Sequence, residues 1–333
     1  MSFFAILFAL LVEQARPLSH GNWIHSGTRA WVRWVERSFD TGKPHHGWLA
    51  WAVAVLVPTV LGVGIYWALW QVSVVLAFCW NALILYTTLG FRQFSHYFTD
   101  IRDALDTGDE DKARELLAQW QQVPVSDLPR SEIVRHVIEY SVLAAHRHVF
   151  GVLCCFSVLS AVGLGPAGAI VYRLSEFVRR YWAYKRKRLS HPISPALLSA
   201  ASISWHALDY FPARATAIGF AVVGSFEDAI DYWRNYAQRF PDDNDGVILA
   251  ATSGAVNVRL GGEAMSAAFK PNNSQGFVSS SFSGVDSSGQ NSEPTPGREP
   301  EIAHLAQVVG LVWRSVVLWM VLLALLTLAR LLG

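Results

Sequence analysis

A chain of 333 residues that is 52% hydrophobic, only 16% charged and carries 14 tryptophans is too apolar for an ordinary soluble enzyme. Its composition points to a protein built into a membrane. A formal net charge of +1 gives no electrostatic case for a nucleic-acid partner. Its three cysteines, Cys79, Cys154 and Cys155, form no C-x-x-C pair and imply neither a disulfide framework nor a zinc site.

Residues 1–47 read as a short apolar helix followed by an amphipathic one. The apolar start reaches Glu13 before the roughly 20 residues needed to cross a bilayer. In "GTRAWVRWVERSFD", Trp31, Trp34 and Val35 fall on one helical face and Arg29, Arg33 and Arg37 on another, which suits a helix lying at the interface. Residues 48–91 contain no Asp, Glu, Lys or Arg, and predict two transmembrane helices at 48–69 and 72–91. The division falls near Gln71–Ser73, and Trp48, Trp51, Trp67 and Trp70 sit near the ends as an aromatic belt would.

Residues 92–148 are charged and predict helices, with a turn at Gly108, acids at Asp109–Asp111 in a first turn, and Ala113, Leu116, Leu117 and Trp120 as the apolar stripe. Residues 149–172 are uncharged again, but "GLGPAG" at 163–168 interrupts them and predicts a helical hairpin re-entering the membrane. The stretch that follows, "YRLSEFVRRYWAYKRKRL", has seven Arg or Lys against one Glu and predicts a cytoplasmic loop. Its "KRKR" suits anionic lipid better than nucleic acid. Residues 197–224 predict a further membrane helix. An amphipathic helix, an acidic loop and a small-residue run end in "RLGG" at 259–262. Residues 263–300 are rich in Ser, Gly, Asn and Pro and predict a flexible linker, and 301–333 a C-terminal transmembrane helix.

Two arginines stand out. Asp209 and Arg214 are the only charges in "ALDYFPARATAIGFAVVG", where a charge at the bilayer centre costs about 2.5–3.5 kcal/mol. Either they pair with each other around Pro212, or Arg214 is aimed at an anionic ligand with Asp209 orienting it. Arg259 looks buried, and Gly254, Gly261 and Gly262 beside it allow close backbone approach. That suits phosphate, although a helix ending at glycine with a terminal Arg has the same pattern. His136, His146 and His148 have no H-E-x-x-H spacing or cysteine partners, so solvated or hydrogen-bonded histidines are expected and no metal site.

Four segments together resemble the CobD/CbiB family of cobalamin-biosynthesis membrane proteins and its relative AmpE. They are "GDEDKAREL", "GPAGAIVYR", "FPARATAI" and "NDGVILAATSGAVNVRLGG", and the resemblance covers about residues 90–262. It implies, for the enzymatic members, coupling of an aminopropanol-type amine to a cobyric acid carboxyl with ATP and magnesium. The sequence departs from the family where acids are expected. The glutamate of N-x-G-x-P-E falls on Leu249. The A-E-N-x-x-D-G motif falls on Ala145–Gly151, with His146, Arg147 and Phe150 at its polar positions. N-T-L-D-S falls on Glu176–Arg180, with Arg179 at the aspartate, and the asparagine of N-x-x-P-A-R is Asp209. No G-R-D-T follows the 102–122 hairpin.

These readings converge on an all-α, polytopic inner-membrane protein with four to five inserted segments, one a re-entrant hairpin, and a cytoplasmic helical face. The 92–262 region is its CobD/CbiB-like core. The expected ligand-binding residues are Arg173, Asp209, Arg214, Asn244, Gly246, Arg259, Gly261 and Gly262, forming an anion-holding cleft stripped of magnesium-binding carboxylates. The first functional expectation is a family member without ligase activity that binds an anionic small molecule or a partner in signalling or envelope physiology. The alternatives are adenosylcobinamide-phosphate synthase, with ATP and magnesium, and a structural scaffold. Membrane lipid is an expected partner in each case.

Overall fold

The computed structural model describes residues 2–15, 23–121, 128–188, 193–262 and 293–332. They are helical almost throughout, and a single bridge between Val258 and Arg298 is the one β pairing among the described residues. The chain is an all-α, polytopic membrane protein. Three helices are long and apolar enough to cross a bilayer, at Pro44–Val72, Arg130–Ala161 and Ile302–Ala329, and two shorter apolar helices accompany them. It divides into two compact units, residues 1–96, 144–216 and 315–333 in one and 97–143 and 217–314 in the other.

In the first unit, α1 (Ser2–Ala15) packs on α4 (Val74–Thr88), and α2 (Trp23–Phe39) packs on α3 (Pro44–Val72). The uncharged run breaks at Ser73, as expected, because its side chain caps α4 by accepting the Val75 N–H at 3.2 Å. The second apolar helix is only 15 residues long, about 22 Å at 1.5 Å per residue, so the expected full span at 72–91 is shorter than a bilayer core. The amphipathic α2 is anchored to its own unit. Val32 and Val35 are fully buried with Ala50, Ala54 and Val178, and the Trp31 Nε1 donates to the Ala54 carbonyl at 3.2 Å. Glu36 pairs with Lys185. Its arginine face remains polar while the other face joins the core.

The 163–168 break also forms. α8 (Gly151–Ala161) and α9 (Ala167–Arg188) make a helical hairpin, with Gly163 and Gly165 at φ of +84° and +53° in the turn. Those values favour glycine because a Cβ there would be strained. At Gly168 the two helices approach so closely that a Cβ would collide with the Cys155 backbone. The run before the hairpin differs from expectation. α7 (Arg130–Ala145), one π-helical turn (His146–Phe150) and α8 form one continuous helix, so the charged and uncharged stretches are not separated at 149. α10 (Pro195–Val223) runs through Pro212 without ending.

The second unit contains α5 (Phe91–Asp106) from Tyr97 onward, α6 (Glu110–Gln121) and most of α7, joined in part by Trp120 between Tyr97 and Tyr140. The turn at Gly108 has φ +79°, as its place in the sequence requires. α11 (Phe226–Tyr236) packs along α12 (Asp243–Val256), with Gly254 against the Asp228 backbone. Asp242 caps α12 by accepting the N–H groups of Asn244 and Asp245, and Asn257 ends it with a left-handed φ of +52°.

Of the expected linker, 263–292 lies outside the described residues. Residues 293–300, placed in it by composition, are packed instead. The Thr295 hydroxyl is buried against Leu260 and the Ser253 hydroxyl, and the Arg259 N–H donates to the Arg298 carbonyl at 2.8 Å. A polar composition marked this stretch as loose, but its hydroxyl supplies hydrogen bonds that a neighbouring loop needed. The last helix, α13 (Ile302–Leu332), is the expected C-terminal span.

Candidate functional site

Asp209 is fully buried on α10, and its partners come from elements far away in sequence. Its Oδ1 accepts from the Tyr172 hydroxyl of α9 at 2.7 Å and lies 2.9 Å from Nε2 of His146. The Nδ1 of His146 is 2.9 Å from the Thr216 hydroxyl, so the imidazole sits between an acid and a hydroxyl. Among the described residues Asp209 Oδ2 has no hydrogen-bond partner. His146 opens the π-helical turn, a distortion that recurs at functional positions because it shifts the side chains that follow. The cluster can hold and share a proton among a carboxylate, an imidazole and a phenol, sealed from bulk water.

This corrects the expected Asp209–Arg214 arrangement. Five residues along a helix turn by about 140°, so the two side chains leave α10 on different faces. Arg214 lies over the Tyr210 ring, 3.4 Å from its centroid, and donates to the Tyr210 carbonyl at 2.9 Å. Asp209 therefore does not orient Arg214. His146 and Tyr172 were not among the expected site residues. The signal for them was an acid in an apolar helix, which requires buried donors from other segments.

Arg173 stands on α9 and donates to Glu176 at 3.2 Å, and Glu176 is shared with Arg180 at 3.4 Å. Glu176 is only 5% exposed. Burial alone pushes its carboxyl up, and the guanidiniums of Arg180, Arg173, Arg147 and Arg179 more than offset that, leaving its pKa below the usual carboxylate value. A depressed folded-state pKa stabilises the fold above the unfolded-state value, and that stabilisation is lost as pH falls through the folded-state pKa. Thermal stability in detergent should therefore fall as pH drops below about 4.5, and Glu176→Gln should flatten this acid limb. An equally steep limb in the variant would assign it to other carboxylates.

The remaining expected residues belong to the second unit. Asn244 and Gly246 lie in the first turn of α12. Asn244 is buried and its N–H is capped by Asp242, while a Cβ on Gly246 would collide with the Ala237 carbonyl, so that glycine serves helix approach. Arg259 is exposed, contrary to its buried look in the sequence. Gly261 and Gly262 have φ of +81° and +120°. The Gly261 N–H, expected to be open to phosphate, is taken by Glu139 Oε1 at 2.6 Å, and Arg135 donates to the Gly261 carbonyl. A Cβ on Gly262 would strike the Arg135 guanidinium. Arg135 and Glu139 sit one turn apart on α7, are each about 95% buried, and were also missed by the sequence reading.

The expected residues thus fall in two units, and each unit holds buried acids. Asp209, Glu176 and Glu139 are buried acids in polar surroundings. For magnesium, however, the donor set does not fit a protein cage. Among the described residues no three or more His, Cys, Asp or Glu side chains gather in one place, and the buried acids are engaged by arginine, tyrosine, histidine or backbone N–H groups.

An all-α membrane protein with buried polar clusters between its helices is the class defined by this fold. The chain belongs to the CobD/CbiB family: the family described as CobD/Cbib protein matches residues 3–275. It is 28% identical to the cobalamin biosynthesis protein CobD of Stutzerimonas stutzeri, over 85% of this chain and 82% of that protein. It is 30% identical to the protein of the same name from Chromobacterium violaceum over 54% of this chain and 55% of that one. The likeness to the Leptospira interrogans protein of that name is 27% over 55% and 56%. No solved structure matches the chain.

Proposed function

We propose that this protein serves cobalamin biosynthesis as an adenosylcobinamide-phosphate synthase, the membrane-bound amide ligase implied by its family resemblance. The observation that carries this reading is the contact between positions 146 and 209. The family motifs put a glutamate at 146 and an asparagine at 209. This chain has histidine and aspartate, hydrogen-bonded at 2.9 Å. The carboxylate has changed sides of one contact. The same exchange recurs on α9, where the acid expected at 179 is replaced by Arg179 and an acid appears one turn earlier, at Glu176. The acids are rearranged within the family frame. Likeness to a named cobalamin biosynthesis protein over 85% of the chain supports the same reading. ATP with magnesium would supply the activation of the carboxyl, and a magnesium ion arriving on nucleotide phosphates needs only one or two protein carboxylates.

A second reading rests on a different observation: Asp209 Oδ1 is committed to both His146 and Tyr172, and the described acids form no ion cage. On it, the protein is an AmpE-like family member without ligase activity, binding an anionic ligand in a signalling or envelope role. In either case its site is the inner membrane with the main loops cytoplasmic, a placement supported by the basic stretch at 172–188.

Expression in a bacterial strain lacking the synthase separates the two. The first reading expects restored growth on the cobalamin-dependent carbon source, and loss of rescue in His146→Ala. Failure of the folded, membrane-inserted wild type, with rescue by the His146→Glu, Asp209→Asn double variant, would overturn the first reading in favour of the second.

A further inference from the structure

The first unit holds a cavity of about 380 Å³ between α2, α3, α4 and α9, well apart in character from the polar cluster around Asp209. Its volume is in the range of small-molecule sites, about 300–1,000 Å³. The wall is almost wholly apolar, built from Pro58, Leu61, Ile65, Ile84 and Phe177 among others. Its threonines add little polarity. Thr28, Thr87 and Thr88 donate their hydroxyls to helix carbonyls of Ile24 and Ile84, so those donors are already occupied. The Trp80 Nε1 is likewise occupied by the Gly62 carbonyl at 3.0 Å.

Against this wall stands one guanidinium, that of Arg173, with His25 close by. Its ion-pair partner Glu176 is shared with Arg180, so one carboxylate serves two cations. A charge facing an apolar cavity is costly unless an opposite charge meets it. Leu61 and Ile65 line it and are 62% and 43% exposed, in a spanning helix whose outer face carries Val57 and Val60. The cavity wall thus reaches an exposed apolar face of a helix long and apolar enough to cross a bilayer.

We infer that this cavity binds a membrane lipid with an anionic phosphate headgroup, one acyl chain along the apolar wall and the phosphate on Arg173. Apolar volume alone would accept any lipid tail, and Arg173 alone would accept any small anion. Both features in one cavity whose wall reaches an exposed apolar face select a molecule with both parts. Arginine suits the headgroup because its planar fork donates two parallel hydrogen bonds to a phosphate. The site does not depend on which of the two readings of the Asp209 cluster holds.

The test uses the full chain purified in a neutral maltoside and native mass spectrometry of the retained adduct. The probes are palmitoyl lysophosphatidylglycerol, its zwitterionic counterpart palmitoyl lysophosphatidylcholine, and glycerol 3-phosphate as headgroup alone. The expected result is retention of the anionic lipid about tenfold more strongly than the zwitterionic one, a difference of about 1.4 kcal/mol. Glycerol 3-phosphate should show no adduct. Arg173→Gln should remove the preference for the anionic lipid, and Arg173→Lys should keep much of it. Ile84→Trp, which fills the cavity from α4, should remove binding of both lipids. Equal retention of the two lipids by the wild type would overturn the site as an anion-selective one. An unchanged preference in Arg173→Gln, with the variant eluting as the folded protein, would overturn it too. Binding of glycerol 3-phosphate as strong as that of the lipid would replace it with a soluble-anion site.

Discussion

Asp209→Ala should lower the folding stability by about 2–5 kcal/mol, because two buried donors lose their acceptor and each such loss costs about 1–3 kcal/mol. The change leaves His146 Nε2 and the Tyr172 hydroxyl without their common acceptor in a fully buried position. Those two groups are 3.2 Å apart and can turn to each other, which relieves part of the loss for one of them. Asp209→Asn keeps an acceptor oxygen in the same place and should cost distinctly less. Unfolding in mixed micelles of maltoside and dodecyl sulfate measures both. An Asp209→Ala protein as stable as the wild type would show that the cluster contributes nothing to holding the π-helical turn, α9 and α10 in register.

Glu139→Ala should release the "RLGG" turn. In the folded protein Glu139 holds the Gly261 N–H and Arg135 holds the Gly261 carbonyl, so α7 grips the two peptide groups that flank Gly261. Removing the acid strands a buried donor and leaves Arg135, itself only 5% exposed, with less compensation. A loss of up to about 3 kcal/mol follows from the stranded buried Gly261 N–H, while Arg135 keeps its ion pair with Glu132. The local readout is tryptic cleavage after Arg259, which is exposed while the next residue, Leu260, is buried. Cleavage requires local opening, so a 3 kcal/mol change should raise its rate by roughly 100-fold where opening is fast relative to cutting. Arg135→Ala should act in the same direction. Cleavage unchanged in both variants would mean that the turn is held by its bonds to Thr295 and Arg298.

The helical, membrane-embedded architecture was legible in the sequence because its signals are local. A charge-free run of this length has one stable form in lipid, and Ser73, Gly108 and the 163–168 glycines mark ends that neighbouring residues impose. The family was legible for a related reason: "GPAGAIVYR" and "VRLGG" are contiguous strings. The site was legible only in part. Asp209 was singled out because a buried charge is unusual wherever its partner lies. Its partner was assigned to Arg214 because that was the nearest opposite charge along the chain. Helix geometry separates the two, and the separation of 63 positions between His146 and Asp209 hid the pair that forms.

Glu139 shows the same limit from the other side. In "RSEIVRHVIEYS" it looks like one charge of a solvated helical face, and nothing nearby marks it as the residue that satisfies Gly261, 122 positions later. Composition likewise marked 293–300 as loose, yet Thr295 is buried because Leu260 and Ser253 needed a hydroxyl. The sequence by itself determined which stretches are helical, most of the places where they break and which family they form, since those follow from each residue's own preferences and its nearest neighbours. Only the tertiary structure decided which buried acid meets which donor. A carboxylate removed from water bonds to whatever the packing brings within about 3 Å, and separation along the chain places no bound on that.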